Sequence, residues 1–267
     1  MSEKKTTIRR WTIEEALEQA VKPPPAGANA SRQKKPGWAG PDFDVAVQMA
    51  VEGDPKSAIG LDKHLGVLSR VRHSVRTVTR WGEAGSSVDV GRFLAGEPEC
   101  MAESVRARRA SPVVRLGVER AVGHYVSADE MRATGASVLA VVEALRTAGI
   151  PAEIWVTYTV AGWEGHTLST QVLIQEAGRP INLDVLAFWI VNEASFRRIG
   201  FAIEEQEPAD VRREVGISTG AGYGHPEATP AADFDEVAPA NSYQATAWIR
   251  EVLERRAGVT ITEDDQR

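Results

Sequence analysis

The chain has 267 residues, 43% of them hydrophobic and 25% charged, which is length and apolar content enough to bury a core without covalent staples. Its one cysteine, Cys100, excludes an intramolecular disulfide. No apolar run approaches the roughly 18 residues of a membrane helix, and MSEKKTTIRRW lacks the apolar stretch of a signal peptide, so a cytoplasmic protein with no membrane contact is expected.

The formal charge of -6 is unevenly spread. Residues 1–40 carry eight Lys/Arg against four Glu, and residues 203–267 carry fourteen Asp/Glu against six Lys/Arg. A basic arm suits nucleic acid or an acidic partner. It lacks the dense basic run and interleaved aromatics of a nucleic-acid site, so a solvated arm, free to dock on the protein's own acidic C-terminal region, is the favoured reading.

TIEEALEQAV (12–21) predicts a short helix, with Thr12 as N-cap and Glu15 closing a capping box. KPPPAGANASRQKKPGWAG predicts a proline-rich linker over 22–40, pinned to the body by Trp38. DFDVAVQMAVEG returns to helical spacing, with Phe43, Val47 and Ala50 or Val51 on one face and Gly53 as the stop. A further helix is expected over 55–72. VRTVTRW (75–81) alternates like a half-buried strand, and VDVGRFLAG reads as a short strand or helical turn ending at Gly96. SPVVRLGVERAV (111–122) is a strand rich in β-branched residues.

Ser127 and Glu130 form a second capping box. The helix it opens runs to a terminal Gly149 and a blocking Pro151, and AEIWVTYTV (152–160) follows as a strand. Strand, helix, strand is a βαβ unit, which implies parallel pairing and a right-handed crossover. AGWEGHT is a hairpin connection and LSTQVLIQE (168–176) its returning strand. In INLDVLAFWIVNEASFRRIGFAIEE a helix is expected at about 192–198, with a strand starting near Phe201 and Ile203. A short helix, a glycine-rich loop and the extended DFDEVAPA come next. An amphipathic helix over 243–256 and an acidic tail over 258–267 close the chain.

Candidate chemistry is sparse. Cys100 lies among Glu97, Glu99 and Glu103, whose field disfavours a thiolate, and reads as a small packed side chain beside a turn made by Gly96 and Pro98. The glycines 220, 222 and 224 follow a helix instead of a strand, so they do not form a phosphate loop. No GK[ST] and no GxSxG occurs. His124 and His166 flank the βαβ unit, where Glu119 and Asp184 would complete an acid–base or metal site; scattered histidines more often serve as surface or capping groups. Asp233, Asp235 and Glu236 around Phe234 are the one acidic cluster worth testing for a divalent cation.

VDVGRFLAGEPECM, RATGASVLAVVEALRTAGIPAEIWV, NEASFRRIGF and the GYGHPE loop together resemble an uncharacterised family of bacteriophage and actinobacterial proteins, over about residues 38–248. The βαβ unit is also similar to the von Willebrand factor A-like fold, in which the first strand ends on a metal-binding DxSxS. The matching positions are Glu119, Ala121 and Gly123, so that resemblance implies a degenerate metal site and a partner-binding scaffold.

The expected fold is a three-layer α/β domain over 70–257, with a mostly parallel sheet and flanking helices, preceded by a helical N-terminal arm over 1–69. Ligands of open α/β sheets meet the carboxyl ends of the strands. That edge is expected to gather Glu119, His124, Thr159, His166 and Asp184. The leading expectation is a non-enzymatic, phage-related or prophage protein-binding scaffold, cytoplasmic or virion-associated, with no catalytic residues, metal or cofactor. The resemblance suggests an AAA-type ATPase as partner. The alternatives are a metal-dependent hydrolase or nuclease using His124 and His166, and nucleic-acid binding through the basic arm.

Overall fold

Two capping boxes written in the sequence start two of the helices. The Thr12 hydroxyl accepts the Glu15 amide while the Glu15 carboxylate accepts the Thr12 amide, and Ser127 and Glu130 exchange the same pair of bonds. The computed structural model describes residues 5–25, 29–35, 37–58, 77–106, 113–147, 149–217, 222–238, 247–248 and 251–257. The chain divides into two units, one of Met1–Val71 with Val113–Arg267, the other of Arg72–Pro112.

In chain order the first unit opens with β1 (Thr6–Thr12), α1 (Ile13–Ala20), α2 (Phe43–Glu52) and α3 (Pro55–Ala58). The second unit holds β2 (Thr77–Gly82), β3 (Ser87–Val88), α4 (Val90–Leu94) and β4 (Met101–Arg106). The first unit resumes with β5 (Val114–Glu119), α5 (Ala128–Thr147), β6 (Ala152–Ala161), β7 (Thr167–Gln175) and α6 (Leu183–Val191). Next come a π-helical turn (Ser195–Gly200), α7 (Phe201–Glu205), α8 (Ala209–Glu214), β8 (His225–Pro226) and β9 (Glu236–Ala238).

The main sheet is mixed and mostly parallel, in the order β1-β7-β6-β5-β9, with β8 beside the end of β6. β5 and β6 are parallel, as the βαβ reading requires, and β7 returns antiparallel to β6. β9 pairs parallel with β5 on its other side, so the strand order reverses at β5.

Register separates the two faces. Leu116, Val118, Ile154, Val156, Tyr158, Val160, Leu168 and Val172 share one face and one apolar core with Leu17, Ala46, Met131, Leu139, Phe188 and Trp189 of the helices. Gly117, Glu119, Thr157, Thr159, Ser169 and Gln171 share the other. That second face is crossed by the segment from Thr229 to Phe234. The Phe234 ring lies so close to Gly117 that a Cβ there would stand 2.8 Å from it. Three layers were expected; among the described residues the helices gather on one face and this segment covers the other.

The N-terminal arm is not a separate helical piece. β1 pairs along its whole length with β7, from Thr6↔Thr167 to Thr12↔Leu173, and so belongs to the sheet. The expected 22–40 linker is gripped by two buried arginines of the π-helical turn. Arg198 donates to the carbonyls of Ser31, Gln33 and Pro41, and Arg197 donates to those of Trp38 and Val126. Trp38 does pin this segment: its ring lies 4.3 Å below the Arg197 guanidinium and its indole N–H donates to the His124 carbonyl.

A second correction concerns 183–205. The expected 192–198 helix is met in part by the π-helical turn from Ser195; a further helix over 183–191 precedes it and ends at Asn192, and Phe201 and Ile203 lie in a helix instead of a strand. Its six residues from Leu186 to Val191 are all buried, so the segment carries no one-sided periodicity to read. Of the expected 55–72 helix only α3 is described. The C-terminal helix is described only in part, with Val252 and Trp248 packed on Val141 and Leu145.

The smaller unit is a three-stranded antiparallel sheet in the order β2-β4-β3. The Asp89 side chain accepts the Arg92 amide and caps α4. Gly96 ends α4 with φ +73, a conformation that favours glycine. Arg92 lies 4.4 Å over the Trp81 ring and reaches Glu97 at 3.4 Å. Cys100 is half-buried, and its carbonyl accepts the Asp89 amide at 2.8 Å.

Candidate functional site at the carboxyl edge

β5 ends on Glu119, opposite Thr157 in register and on the polar face. The buried carboxylate accepts the Ala121 amide at 2.6 Å, the Thr159 amide at 3.3 Å and the Thr229 hydroxyl at 2.5 Å. The Thr157 and Thr229 hydroxyl oxygens are 2.6 Å apart. The Thr157 hydroxyl also donates to the Glu119 carboxylate, at 3.3 Å. Burial pushes the Glu119 carboxyl up to about 7, against the donors of Thr229, Ala121 and Thr159 that favour its charge.

The polar seam continues outward. Thr159 and Ser169 hydroxyl oxygens are 3.1 Å apart, and the Gln171 amide donates to Ser169 at 3.4 Å and to Asp233 at 3.3 Å. Arg10 donates to Gln171 at 3.0 Å and to Asp233 at 2.8 Å. Glu119 is 6% exposed and Thr157, Thr159 and Ser169 not at all, so no substrate reaches this carboxyl. What the seam does is fasten the Thr229–Asp233 stretch to the sheet.

The loops at this edge are different. β5 and β6 run parallel as neighbours, so their carboxyl ends share one edge. Tyr125, after β5, is 82% exposed, and Trp163, after β6, is 88% exposed. His124 stands edge-on to Tyr125 with ring centroids 5.8 Å apart, and His225 stands edge-on to Trp163 at 4.1 Å. His166 turns its Nδ1 towards Glu214 at 3.9 Å.

Of the residues expected at this edge, the structure brings Glu119 and Thr159 into contact. His124 and His166 have different neighbours. Asp184 packs against Gly53, and its carbonyl accepts the Asp54 amide at 2.8 Å, away from the Glu119 seam's partners. Among the described residues no group of three or more His, Cys, Asp or Glu is placed to hold a metal ion. The 233–236 acids are dispersed: Asp233 on Arg10, Asp235 accepting the Arg115 amide, Glu236 on Arg255 and Arg256.

Residue-by-residue reading missed Thr157 and Thr229, Tyr125 and Trp163, and Glu204. Thr157 alternates with Thr159 in a visible T-Y-T, but Thr229 comes from 72 residues further on. Glu204 is fully buried, and neither carboxyl oxygen has a partner among the described residues. Burial, with Glu119, Glu207 and Glu205 nearby, raises it well above the usual carboxylate range.

A cleft of about 480 Å³ lies between α2, α3, α5 and the end of α6, lined by Met49, Asp54, Ser57, Arg132, Ala133 and Asn192 among others. Its buried Asp54 accepts the Lys56 and Ser57 amides, the Ser57 hydroxyl and the Asn192 amide. Arg132 is held by Glu193 and Asp129. Asp54 and Arg132 are thus engaged in holding the helices; Lys56 also lines the cleft.

The chain belongs to the family described as a domain of unknown function, DUF7192, which matches residues 3–258. No curated protein and no solved structure matches it.

Proposed function

We propose that this member of the DUF7192 family is a non-enzymatic protein-binding scaffold that meets its partner at the carboxyl edge of the main sheet. The observation that carries this reading is the exposure of Tyr125 and Trp163 on loops after neighbouring parallel strands. Large aromatics with a polar handle dominate protein interfaces, and Trp and Tyr are enriched among the residues that bind most tightly. A catalytic reading would want a reachable titrating group in a concave site. Here the carboxyl that titrates near neutrality, Glu119, is sealed.

The finer reading follows the resemblances. A phage-related family with a von Willebrand factor A-like, degenerate core points to an AAA-type ATPase as the partner, in the host cytoplasm or the virion. Neither rival gains support from a particular contact. Two arginines of the basic arm are engaged, Arg9 with Glu207 and Arg10 with Asp233, which leaves fewer charges for nucleic acid.

The test is site-specific photo-crosslinking in the native host, from position 125 and separately from position 163. One and the same protein is expected at both positions, and Tyr125→Ala or Trp163→Ala should abolish its capture without moving the melting temperature. Unrelated captures at the two positions, or none at either, would sink the scaffold reading. If the captured protein hydrolyses ATP, a changed turnover on adding the scaffold supports the finer one; an unaffected ATPase, or a partner that is no ATPase, removes it.

A further inference from the structure

We infer that the partner segment received at the β6–β7 hairpin is cationic, an Arg- or Lys-rich stretch of protein with a charged head over the Trp163 indole; this rests on the scaffold reading above and names the chemistry of its partner. The hairpin is rigidly held. The Gly162 amide donates to the His166 carbonyl at 2.9 Å, and the Gly165 amide donates to the Gly162 carbonyl at 3.0 Å. Gly162 lies so close to the Glu214 carbonyl that any side chain would collide with it, which docks the hairpin on the end of α8. Trp163 is therefore presented on a fixed base, with His225 braced against it.

Other tryptophans of the chain show what an indole takes. Trp38 carries the Arg197 guanidinium at 4.3 Å from its ring centroid, and Trp81 carries Arg92 at 4.4 Å. Both are filled cation–π sites. Trp163 has no such cation among the described residues and stands 88% exposed. Three carboxylates lie on the segments that meet at this hairpin. Glu164 follows it in the hairpin and is exposed. Glu214 comes within 3.9 Å of His166. Glu227 directly follows β8, with its amide on the Thr159 carbonyl at 2.9 Å. The exposed cations of these segments are Arg213, beside Glu214, and Lys5, whose carbonyl accepts the Thr167 amide at 2.9 Å, while Arg212 is turned onto the Glu207 carbonyl. Three carboxylates against two cations leave the balance negative among the described residues, so the patch favours cations over nucleic-acid phosphates and anionic lipid heads.

The probe is a ten-residue oligo-arginine peptide, followed by the indole N–H resonance of Trp163 in the full-length protein. A saturable shift is expected, weakening about tenfold or more between about 50 and 300 mM salt. Trp163→Ala, and separately the combined Glu164→Gln, Glu214→Gln and Glu227→Gln variant, should each weaken binding about tenfold. An oligo-glutamate peptide should leave the resonance still. Peptide binding that leaves Trp163 unmoved, as at the acidic C-terminus, overturns the inference. So does a Trp163 shift produced by single-stranded DNA or phosphatidylserine vesicles and not by the peptide. If the protein crosslinked from position 163 makes contact through a neutral or acidic segment, the cationic chemistry is wrong while the scaffold reading stands; if no protein is captured, both fall.

Discussion

The two faces of the main sheet are built on opposite rules. One joins Leu116, Val118, Ile154, Val156, Leu168 and Val172 to the helices in a single apolar core. The other carries Glu119, Thr157, Thr159, Ser169 and Gln171 in a hydrogen-bonded seam that fastens one segment of chain. Apolar burial is non-directional and gives most of the stability. A buried hydrogen bond nets only about 1 kcal/mol but is costly to leave unmade, so the seam chiefly specifies where the Thr229–Phe234 stretch lies. Substitutions on the two faces should therefore differ in kind.

The largest loss is expected on the helix side, from Arg198→Ala. The buried guanidinium holds the carbonyls of Ser31, Gln33 and Pro41 at 2.9, 2.6 and 3.0 Å. Three orphaned carbonyls should cost about 3 kcal/mol or more in urea unfolding. Arg198→Lys should recover only part, because an ammonium cannot reproduce the planar fork. A cost below about 1 kcal/mol would mean that something else holds the 29–41 segment.

On the polar face, Gly117→Val should act locally. Its Cβ would meet Phe234 ring atoms at 2.8 to 3.1 Å, so the ring must move. A loss of about 1–3 kcal/mol is expected, with faster amide exchange over 227–235 and unchanged protection in α5. Equal loosening of α5 would show that the two faces are not separable.

This contrast also explains what was legible in advance. The capping boxes at Thr12 and Ser127, the GIP turn and the alternating β6 are local signals, and each led to the right element. β1 was not legible, because TTIRRW holds its place through Arg9 on Glu207 and Arg10 on Asp233, contacts about 200 residues away in sequence. α6 was missed because Leu186 to Val191 are buried all round, and Phe201 and Ile203 suggested a strand where the chain is helical. At the edge, Glu119 and Thr159 followed from the rule that parallel strands present their carboxyl ends. Thr229 joined them through a long return of the chain that no local pattern announces.

An effect that changes with pH is expected from Glu119→Gln. The folded-state carboxyl is raised to about 7 from an ordinary 4.5. Its contribution to stability is fully present below about 4.5, is lost as pH rises towards 7, and is flat above. The difference between the parent and the variant should change by about 3 kcal/mol across that window. A parent and variant whose unfolding free energies run parallel from pH 4.5 to 8 would place the proton elsewhere.

The smallest effect at neutral pH belongs to Glu204→Gln, on the helix side. Burial, with the fields of Glu119, Glu207 and Glu205, raises this carboxyl well above its usual range. Neither oxygen has a partner to lose among the described residues. Glutamine, neutral and of the same shape, should change stability by no more than about 0.5 kcal/mol at pH 7. Because the folded-state pKa is raised, the parent loses stability as pH rises towards that pKa, while the variant does not. Glu204→Gln should thus overtake the parent in denaturant melts as pH is raised. Glu204→Ala, which leaves a cavity instead, should be weaker than Glu204→Gln at every pH. A loss of more than about 1 kcal/mol from Glu204→Gln at pH 7 would show an ionised, partnered carboxylate, and the apolar face would then hold a second polar site beneath the sheet.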